Sequence, residues 1–272
     1  MLRHDQAEGL RRLLAPAVPR VIALCGAAEG MGCGTALLNL AVALAHRGRD
    51  VMVLDRRSQL CVISAALGMP ARAAGRRTAE AEDPIQRGPA GIAIVAGTPG
   101  LGASAEAAPD TPLLPVARGA EADALAPVDA GADVVAVTTA VGAEITAAYA
   151  LVKRLATEAG ARHVHLLVDR AQSQTQAAAL TRNMARVARQ FLAVSLDLLG
   201  WVPADPTLDR AARLRLPVVE AFPEAPAARA YRAMADAIAA WPLPGRERAE
   251  ATRLVQSLLR HERLPGAALG AA

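Results

Sequence analysis

Aromatic residues are scarce in this 272-residue chain, where Phe, Trp and Tyr together make up 2% of the sequence. Hydrophobic residues still account for 53%, so the predicted core consists mainly of small aliphatic side chains. This content excludes a largely disordered chain, which would combine few apolar residues with a high net charge. The net charge is only +4, and no basic stripe with interleaved aromatic residues is visible. Direct nucleic-acid binding is therefore not predicted.

Cysteine and lysine are also rare. The cysteines are Cys25, Cys33 and Cys61. An odd number of cysteines without an apolar secretory start is typical of reduced thiols in the cytoplasm. Lys153 is the only lysine, and apart from the histidines every other basic side chain is an arginine. Any site that depends on lysine chemistry has one candidate in the whole chain.

Short apolar runs alternate with helical patterns through much of the chain. The runs at 20–26, 51–54, 91–95, 133–139, 164–168 and 198–202 predict strands. The segments 35–46, 144–160, 175–191 and 229–240 predict helices, whereas 70–90 looks irregular and 100–130 has weak periodicity. Strands that alternate with helices predict an α/β domain, with a mostly parallel twisted sheet and helices on both faces.

We divide the chain into five parts. Residues 1–14 predict a short amphipathic helix, and 15–19 a proline-rich linker. Residues 20–241 form the α/β domain. Residues 245–264 predict an amphipathic tail helix, and 265–272 a disordered tail.

A glycine-rich loop at 27–34 follows the first predicted strand and leads into a helix. In a phosphate-binding loop, backbone N–H groups and the helix N-terminus hold the phosphates, a lysine contacts them, and a Ser or Thr hydroxyl binds Mg²⁺. The order strand, glycine-rich turn, helix is present here, but the loop contains no lysine. A glycine-rich turn without a ligand is the simpler alternative.

The helix after this loop resembles the deviant P-loop ATPases of the MinD/ParA family, whose loop reads K-G-G-x-G-K-T-[ST] and is followed by N-L-A. The segment 38–45, LNLAVALA, supplies the N-L-A at 39–41. This register puts Ala28 and Cys33 at the two lysines, Glu29 and Gly30 at the glycine pair, and Gly34 at the magnesium threonine. A shift of one residue would restore Thr35 to the threonine position, but no register restores a lysine.

Other nucleotide motifs of the family are altered too. Its D-A-D reads Asp55-Arg56-Arg57 here, so an arginine replaces the second carboxylate. Its D-x-G strand corresponds to 113–119, which has no Asp at its end and a proline inside. Its base-binding Asn corresponds to Asp169, which accepts hydrogen bonds but does not donate when ionised. The turn at 200–205 matches G-x-I-P-x-D, although a packed strand-to-loop turn explains it equally well.

The resemblance implies ATP with Mg²⁺ as cofactor, whereas the missing charges predict weak binding at most. Two lost charge-assisted contacts would weaken affinity on the order of 10²–10⁴-fold. We therefore predict no catalytic residue, no dedicated metal site, and a protein that leans away from ATPase activity. The degenerate nucleotide site would comprise Gly30, Gly32, Cys33, Gly34, Thr35, Asp55, Arg57, Asp169 and Pro203.

Two longer segments resemble one branch of the family, the FlhG/FleN-type regulators of flagellar number. Residues 132–154 are similar to its A-D-E-V-I-V-V-T-T-P-E-…-I-T-D-A-Y-A-L-I-K, and 191–223 to its F-L-…-L-G-x-I-P-x-D segment. The N-terminal D-Q-A-x-x-L-R of this branch matches 5–11. The resemblance implies that this helix binds the signal-recognition-type GTPase FlhF and stimulates GTP hydrolysis, through Asp5, Gln6, Ala7, Leu10 and Arg11. An N-terminal helix packed on its own domain is the alternative.

The tail combines an apolar stripe with several arginines. Its apolar residues are Leu254, Val255, Leu258 and Leu259. Without aromatic residues, such a helix would bind a membrane surface only weakly, and docking on the domain is an equal alternative. We expect a cytoplasmic protein, with peripheral contact at the inner membrane or cell pole as a further option.

These observations favour a regulator of flagellar number or placement that acts as a largely non-hydrolysing adaptor for FlhF. One alternative is an active ATP-dependent switch that cycles between a monomer and a membrane-bound dimer. Another is a partition-like regulator unrelated to motility. The family's further partners are a flagellar transcription activator and a switch-ring protein, and no motif assigns a surface to either.

Overall fold

The computed structural model describes residues 19–26, 32–55, 63, 66–69, 85–96, 111–116 and 122–242. Within them, eight strands form one sheet in the order β3-β4-β2-β5-β1-β6-β7-β8. All neighbouring strands are parallel except β3, which is antiparallel to β4. The strands are β1 Ile22–Gly26, β2 Val51–Asp55, β3 Ile85–Arg87, β4 Ala93–Ala96, β5 Thr111–Val116, β6 Asp133–Thr139, β7 His163–Ala171 and β8 Ser195–Pro203.

Helices cover both faces of this sheet. In the described residues they are α1 Cys33–Ala45, α2 Ala122–Asp129, α3 Gly142–Glu158, α4 Gln174–Leu192, α5 Pro206–Arg213, α6 Val218–Ala221 and α7 Pro226–Ala239, with a 3₁₀ turn at Pro89–Gly91. Helices α1, α6 and α7 pack on one face of the sheet. Helices α3 and α4 pack on the other. The predicted α/β class with a mostly parallel sheet is confirmed.

Helix α1 is buried along most of its length, because alanine and leucine fill 36–44 apart from Asn39 and Val42. Asn39 is 2% exposed, and both ends of its amide are paired. The amide nitrogen donates to the Thr35 carbonyl at 2.8 Å, and the Oδ1 atom accepts the Val219 N–H at 3.3 Å. A buried amide that is satisfied on both sides fixes α6 against α1 at little energetic cost.

Strand β5 is the main departure from the sequence prediction, which found weak periodicity over 100–130. It occupies a central position between β1 and β2 although it contains Pro112 and Pro115. Proline has no N–H for the ladder and usually occurs at sheet edges. The two prolines therefore obscure a central strand in the sequence pattern, which predicts only the candidate at 113–119. The short helices α2, α5 and α6 were not predicted either.

The first and last described segments meet at the amino ends of β6 and β7. Arg20 Nη1 lies 2.6 Å from Asp133 Oδ2 in a buried ion pair. The Arg20 guanidinium also lies over the Trp241 ring, 5.4 Å from its centroid, and donates to the Trp241 carbonyl at 3.3 Å. The Trp241 ring stacks on His165 with 4.1 Å between centroids. We call this group of four side chains the Arg20–Trp241 clasp.

Candidate active site

The sheet has a switch point at β1. The chain passes from β1 through α1 to β2 on one side, while β6 and β7 lie on the other side of β1. In open α/β sheets, ligands bind in the crevice at the carboxyl ends of the strands at such a point. We therefore expect a binding site among the residues at the carboxyl ends of β1, β6 and β7.

Gly32 precedes helix α1 and has a φ of +56°, a conformation that favours glycine. A Cβ atom at this position would lie 2.6 Å from Asp169 Oδ2. The site therefore requires glycine for two reasons, the backbone conformation and the close approach of the Asp169 carboxylate. Beyond it, Cys33, Gly34 and Thr35 open helix α1, and the Cys33 thiol donates to the Leu24 carbonyl at 3.7 Å.

Asp169 lies near the carboxyl end of β7 and is 6% exposed. Its Oδ2 atom is 3.9 Å from Arg170 Nε. Its Oδ1 atom is buried and has no hydrogen-bond partner among the described residues. Burial raises the pKa of Asp169, and the neighbouring Arg170 offsets this only in part. A buried carboxylate oxygen without a donor is energetically costly, and such a position is a candidate contact for a ligand.

Asp169 lines a cleft of about 330 Å³ at this edge of the sheet. The Thr139 hydroxyl donates to Glu144 Oε2 across the cleft wall, and Thr139 Oγ1 accepts the Val141 N–H at 3.3 Å. The Thr139 hydroxyl thus engages one of the two carboxylate oxygens of Glu144. The full lining is Gly32, Thr139, Ala140, Val141, Glu144, Asp169, Arg170, Gln172 and Gln176.

The rim next to Asp169 is shaped by the turn between β7 and α4. Arg170 has a φ of +53°, at an irregularity of β7 between Val168 and Ala171, and its side chain is largely exposed. Ser173 caps α4 by accepting the Gln176 N–H at 3.1 Å. Gln176 Oε1 in turn accepts the Gln172 N–H at 2.8 Å. These two bonds fix the N-terminus of α4 beside the cleft.

Comparison with known proteins identifies the family. No family model matches the chain. The chain is 30% identical over 263 residues to the antiactivator FleN of Pseudomonas aeruginosa, an alignment that covers 89% of this chain and 94% of that protein. The chain belongs to the FleN family. The resemblance drawn from the sequence is thereby confirmed, and the chain is a FleN/FlhG-type regulator.

Solved structures similar to this FleN-family chain are MinD/ParA proteins, and they show the fold alone. MinD of Pyrococcus horikoshii complexed with Mg-ADP is 19% identical with a TM-score of 0.58, over 81% of this chain and 96% of that one. MinD in the MinC:MinD complex of Aquifex aeolicus is 18% identical with a TM-score of 0.58, over 84% and 98%. Cyanothece McdA, in a complex with ATP, is 13% identical with a TM-score of 0.56, over 85% and 100%.

The predicted nucleotide residues do not all meet in the FleN-family structure. Gly32 and Asp169 are in near contact. Asp55 ends β2, four strand positions from β7, or about 19 Å at the usual strand spacing. Pro203 ends β8, the strand beyond β7. Gly30 and Arg57 lie outside the described residues.

Two further groups of predictions also fall outside the described residues. They are the five N-terminal residues proposed to bind FlhF and the four apolar tail residues, Leu254, Val255, Leu258 and Leu259. In the part that is described, no helix has both the length and the apolar content needed to cross a membrane.

Of the nine residues that line the cleft, the sequence predicted Gly32 and Asp169 and missed seven, among them Thr139, Glu144 and Arg170. The sequence contains a signal for Thr139 and Glu144, because residues 132–154 resemble a family segment that contains T-T-P-E. Thr139 and Glu144 end β6 and begin α3. Arg170 directly follows Asp169, the residue that corresponds to the family's base-binding Asn. Its place in the lining of the cleft is visible only in the structure.

Proposed function

We propose that this FleN-family chain regulates flagellar number or placement as a largely non-hydrolysing adaptor, which binds and stimulates an FlhF-type GTPase through residues 1–14. The non-hydrolysing role is supported by the scarcity of basic side chains at the site. The loop 27–34 contains no lysine or arginine. Among the described residues that line the cleft, Arg170 alone has a positive charge.

The one lysine does not compensate for this loss. Lys153 is an exposed residue of α3, eleven positions after Gly142 at the start of that helix. At the rise of an α-helix this corresponds to about 16 Å along the axis from the cleft wall. Triphosphate binding and transition-state stabilisation both depend on nearby cations. The composition of the site therefore supports an adaptor that does not turn over ATP.

The proposed stimulation of an FlhF-type GTPase rests on the D-Q-A-x-x-L-R match at residues 5–11. A glutamine supplied by a partner can position the attacking water of a GTPase, or order the catalytic groups of that GTPase. We assign this task to Gln6. Leu10 and Arg11 would provide apolar and charged contacts on the same helix.

The decisive experiment measures nucleotide turnover with and without the partner. The full chain should show no ATP hydrolysis above background, and it should accelerate GTP hydrolysis by the FlhF-type protein of the same organism. Deletion of 1–14 should abolish the acceleration, and Gln6→Ala should reduce it by tenfold or more. Glu8→Ala is the matched control, since Glu8 lies outside the predicted contact set. Full stimulation by both the deletion and Gln6→Ala would refute the activator role.

ATP turnover that depends on Mg²⁺ would instead favour the active switch, which the Mg-ADP in the Pyrococcus MinD structure makes a real alternative. Family membership favours a flagellar regulator over a partition-like protein. Because the Pseudomonas relative is named an antiactivator, we propose a transcription activator as a further partner. We also propose that residues 245–264 bind weakly to a membrane surface.

A further inference from the structure

A second cleft lies at the edge of the sheet, between the last strand and the last described helix. It occupies the space between 199–203 of β8 and 226–234 of α7, and we call it the β8–α7 groove. Its volume is about 340 Å³, and it shares no lining residue with the Asp169 cleft. The proposed function gives this groove no role.

A bulge in β8 shapes the groove. The pairing with β7 passes from Leu198 to Gly200, so Leu199 is an extra residue in the strand. Leu199 packs with the core on the α7 side, and a Cβ atom at Gly200 would collide with the Met234 side chain. Two consecutive residues thus face α7, whereas the residues of a regular strand alternate. Because a bulge interrupts the hydrogen-bond ladder, this stretch suits the docking of side chains better than the addition of a further strand.

The walls of the groove are mostly apolar. Leu199 and Trp201, both partly exposed, line it on the β8 side, and Ala230 and Ala233 line it on the α7 side. The alanines are small, so α7 leaves space beside β8 for a large apolar side chain of another molecule. Tryptophan is frequent in protein interfaces, because its ring is apolar and its indole N–H still donates. At about 340 Å³ the groove is at the small end of the range for ligand pockets, and one or two such side chains would fill it.

Arginines flank this edge of the sheet on both helices. Arg229 on the rim of the groove donates to the Glu224 carbonyl at 2.6 Å, and within the described residues it forms no ion pair. Helix α4 lies over the other face of β8 and presents Arg182, Arg186 and Arg189 in an exposed row at i, i+4 and i+7. These three also lack ion pairs in the described part of the chain, and α4 contains no acidic residue.

The acidic groups of β8 and of the turn after it are already engaged. Asp197 pairs with His163 at 2.7 Å. Asp205 caps α5 and accepts two backbone N–H groups. The exposed Glu224 is outnumbered by the four arginines, so this edge has an excess of positive charge.

The charges decide between the possible occupants. A symmetric contact between two copies places the same patch on both sides, so arginines would face arginines, which is unfavourable. A membrane surface would attract the arginines but would not fill the groove. Both features are matched by a protein segment that combines large apolar side chains with carboxylates.

We propose that the β8–α7 groove binds a segment of another protein in which one or two large apolar side chains lie next to Asp or Glu. The apolar side chains occupy the space beside Leu199 and Trp201, and a carboxylate pairs with Arg229. The arginines of α4 accelerate the encounter through long-range attraction. Neither 1–14 nor Asp169 takes part, so this inference does not depend on the adaptor role.

A library of random short peptides displayed on phage, selected against the full chain, tests the proposal. Peptides that bind the wild type and fail to bind Ala233→Gln should pair Leu, Ile, Phe, Met or Trp with Asp or Glu. Ala233 is exposed and glutamine is a good helix former, so this change fills the groove without disturbing the core. In fluorescence-anisotropy titrations, the most frequent peptide should bind Ala233→Gln and Arg229→Glu at least tenfold more weakly than the wild type.

An exchange of charges separates recognition from misfolding. A peptide in which each Asp and Glu is replaced by Lys should bind Arg229→Glu more tightly than it binds the wild type. Arg162→Glu and Ala240→Gln are the matched controls, because both residues are exposed and neither lines the groove. Both controls should keep the wild-type affinity.

Several results would overturn the proposal. They are the absence of peptides that distinguish the wild type from Ala233→Gln, selected peptides without acidic residues, unchanged binding to Arg229→Glu, and no gain with the exchanged charges. A dimer in sedimentation that Ala233→Gln disrupts would assign the groove to a second copy instead. Binding to vesicles of anionic lipid that is lost in the same variant would assign it to a membrane.

Discussion

Replacing Asp169 with asparagine should stabilise the protein at neutral pH. The side chain is 8% exposed and its Oδ1 atom lacks a donor in the described residues. A buried polar group without a hydrogen bond costs about 1–3 kcal/mol. Asparagine keeps the shape and removes the charge but leaves a carbonyl in the same place, so we expect the lower half of that range, about 1–2 kcal/mol. For a chain of this size this raises Tm by roughly 2–8 °C.

The gain should depend on pH. Because burial raises the pKa of Asp169 in the folded state, the folded chain holds this proton more tightly than the unfolded chain does. The wild-type protein therefore loses stability as pH rises from the unfolded pKa, about 3.9, through the folded pKa, and the loss is constant above it. Asp169→Asn should match the wild type near pH 3 and exceed it at pH 7.

Thermal unfolding at both pH values, followed by circular dichroism or calorimetry, measures the difference. Asp197→Asn controls for the removal of one negative charge and should change Tm by little, since that carboxylate is exposed. A Tm of Asp169→Asn at pH 7 that equals or falls below the wild-type value would refute the reasoning. It would mean that the carboxylate is already compensated.

Replacing either of two other carboxylates, Asp205 or Asp133, should destabilise the protein. Asp205→Ala removes the cap of α5 and the acceptor of the Thr207 and Ala227 N–H groups, and should cost about 2–4 kcal/mol in unfolding free energy. Burial would raise the pKa of Asp205, but the hydrogen bonds from Thr207 and Ala227 outweigh it and lower the pKa. Its contribution should therefore be present above the unfolded pKa and disappear as pH falls through the folded pKa, which urea titrations at several pH values would test. Asp133→Ala should cost about 3–5 kcal/mol, because it leaves the buried Arg20 guanidinium without its carboxylate; a loss below about 1 kcal/mol in the same titrations would contradict this.

The fold was predictable where local pattern and tertiary environment agree. Strands such as β6, DVVAVTT, are buried on both sides and are uninterrupted runs of strand-forming residues. β5 was obscure because its two prolines break that pattern and only its neighbours β1 and β2 reveal its place. The missing lysines were readable from the sequence, but the contact between Gly32 and Asp169 was not. These residues are 137 positions apart, and only the tertiary fold places Gly32, ahead of α1, beside Asp169 near the end of β7.

The Arg20–Trp241 clasp fixes where the two outer segments of the chain start. Arg20 and Pro242, close to the two ends of the described range 19–242, are therefore in contact at the pole where β6 and β7 begin, opposite the Asp169 cleft. A short peptide could thus join residue 19 to residue 242, and new ends could be opened in an exposed turn such as the one after α1. A permuted form of residues 19–242 should still fold, with the cleft untouched.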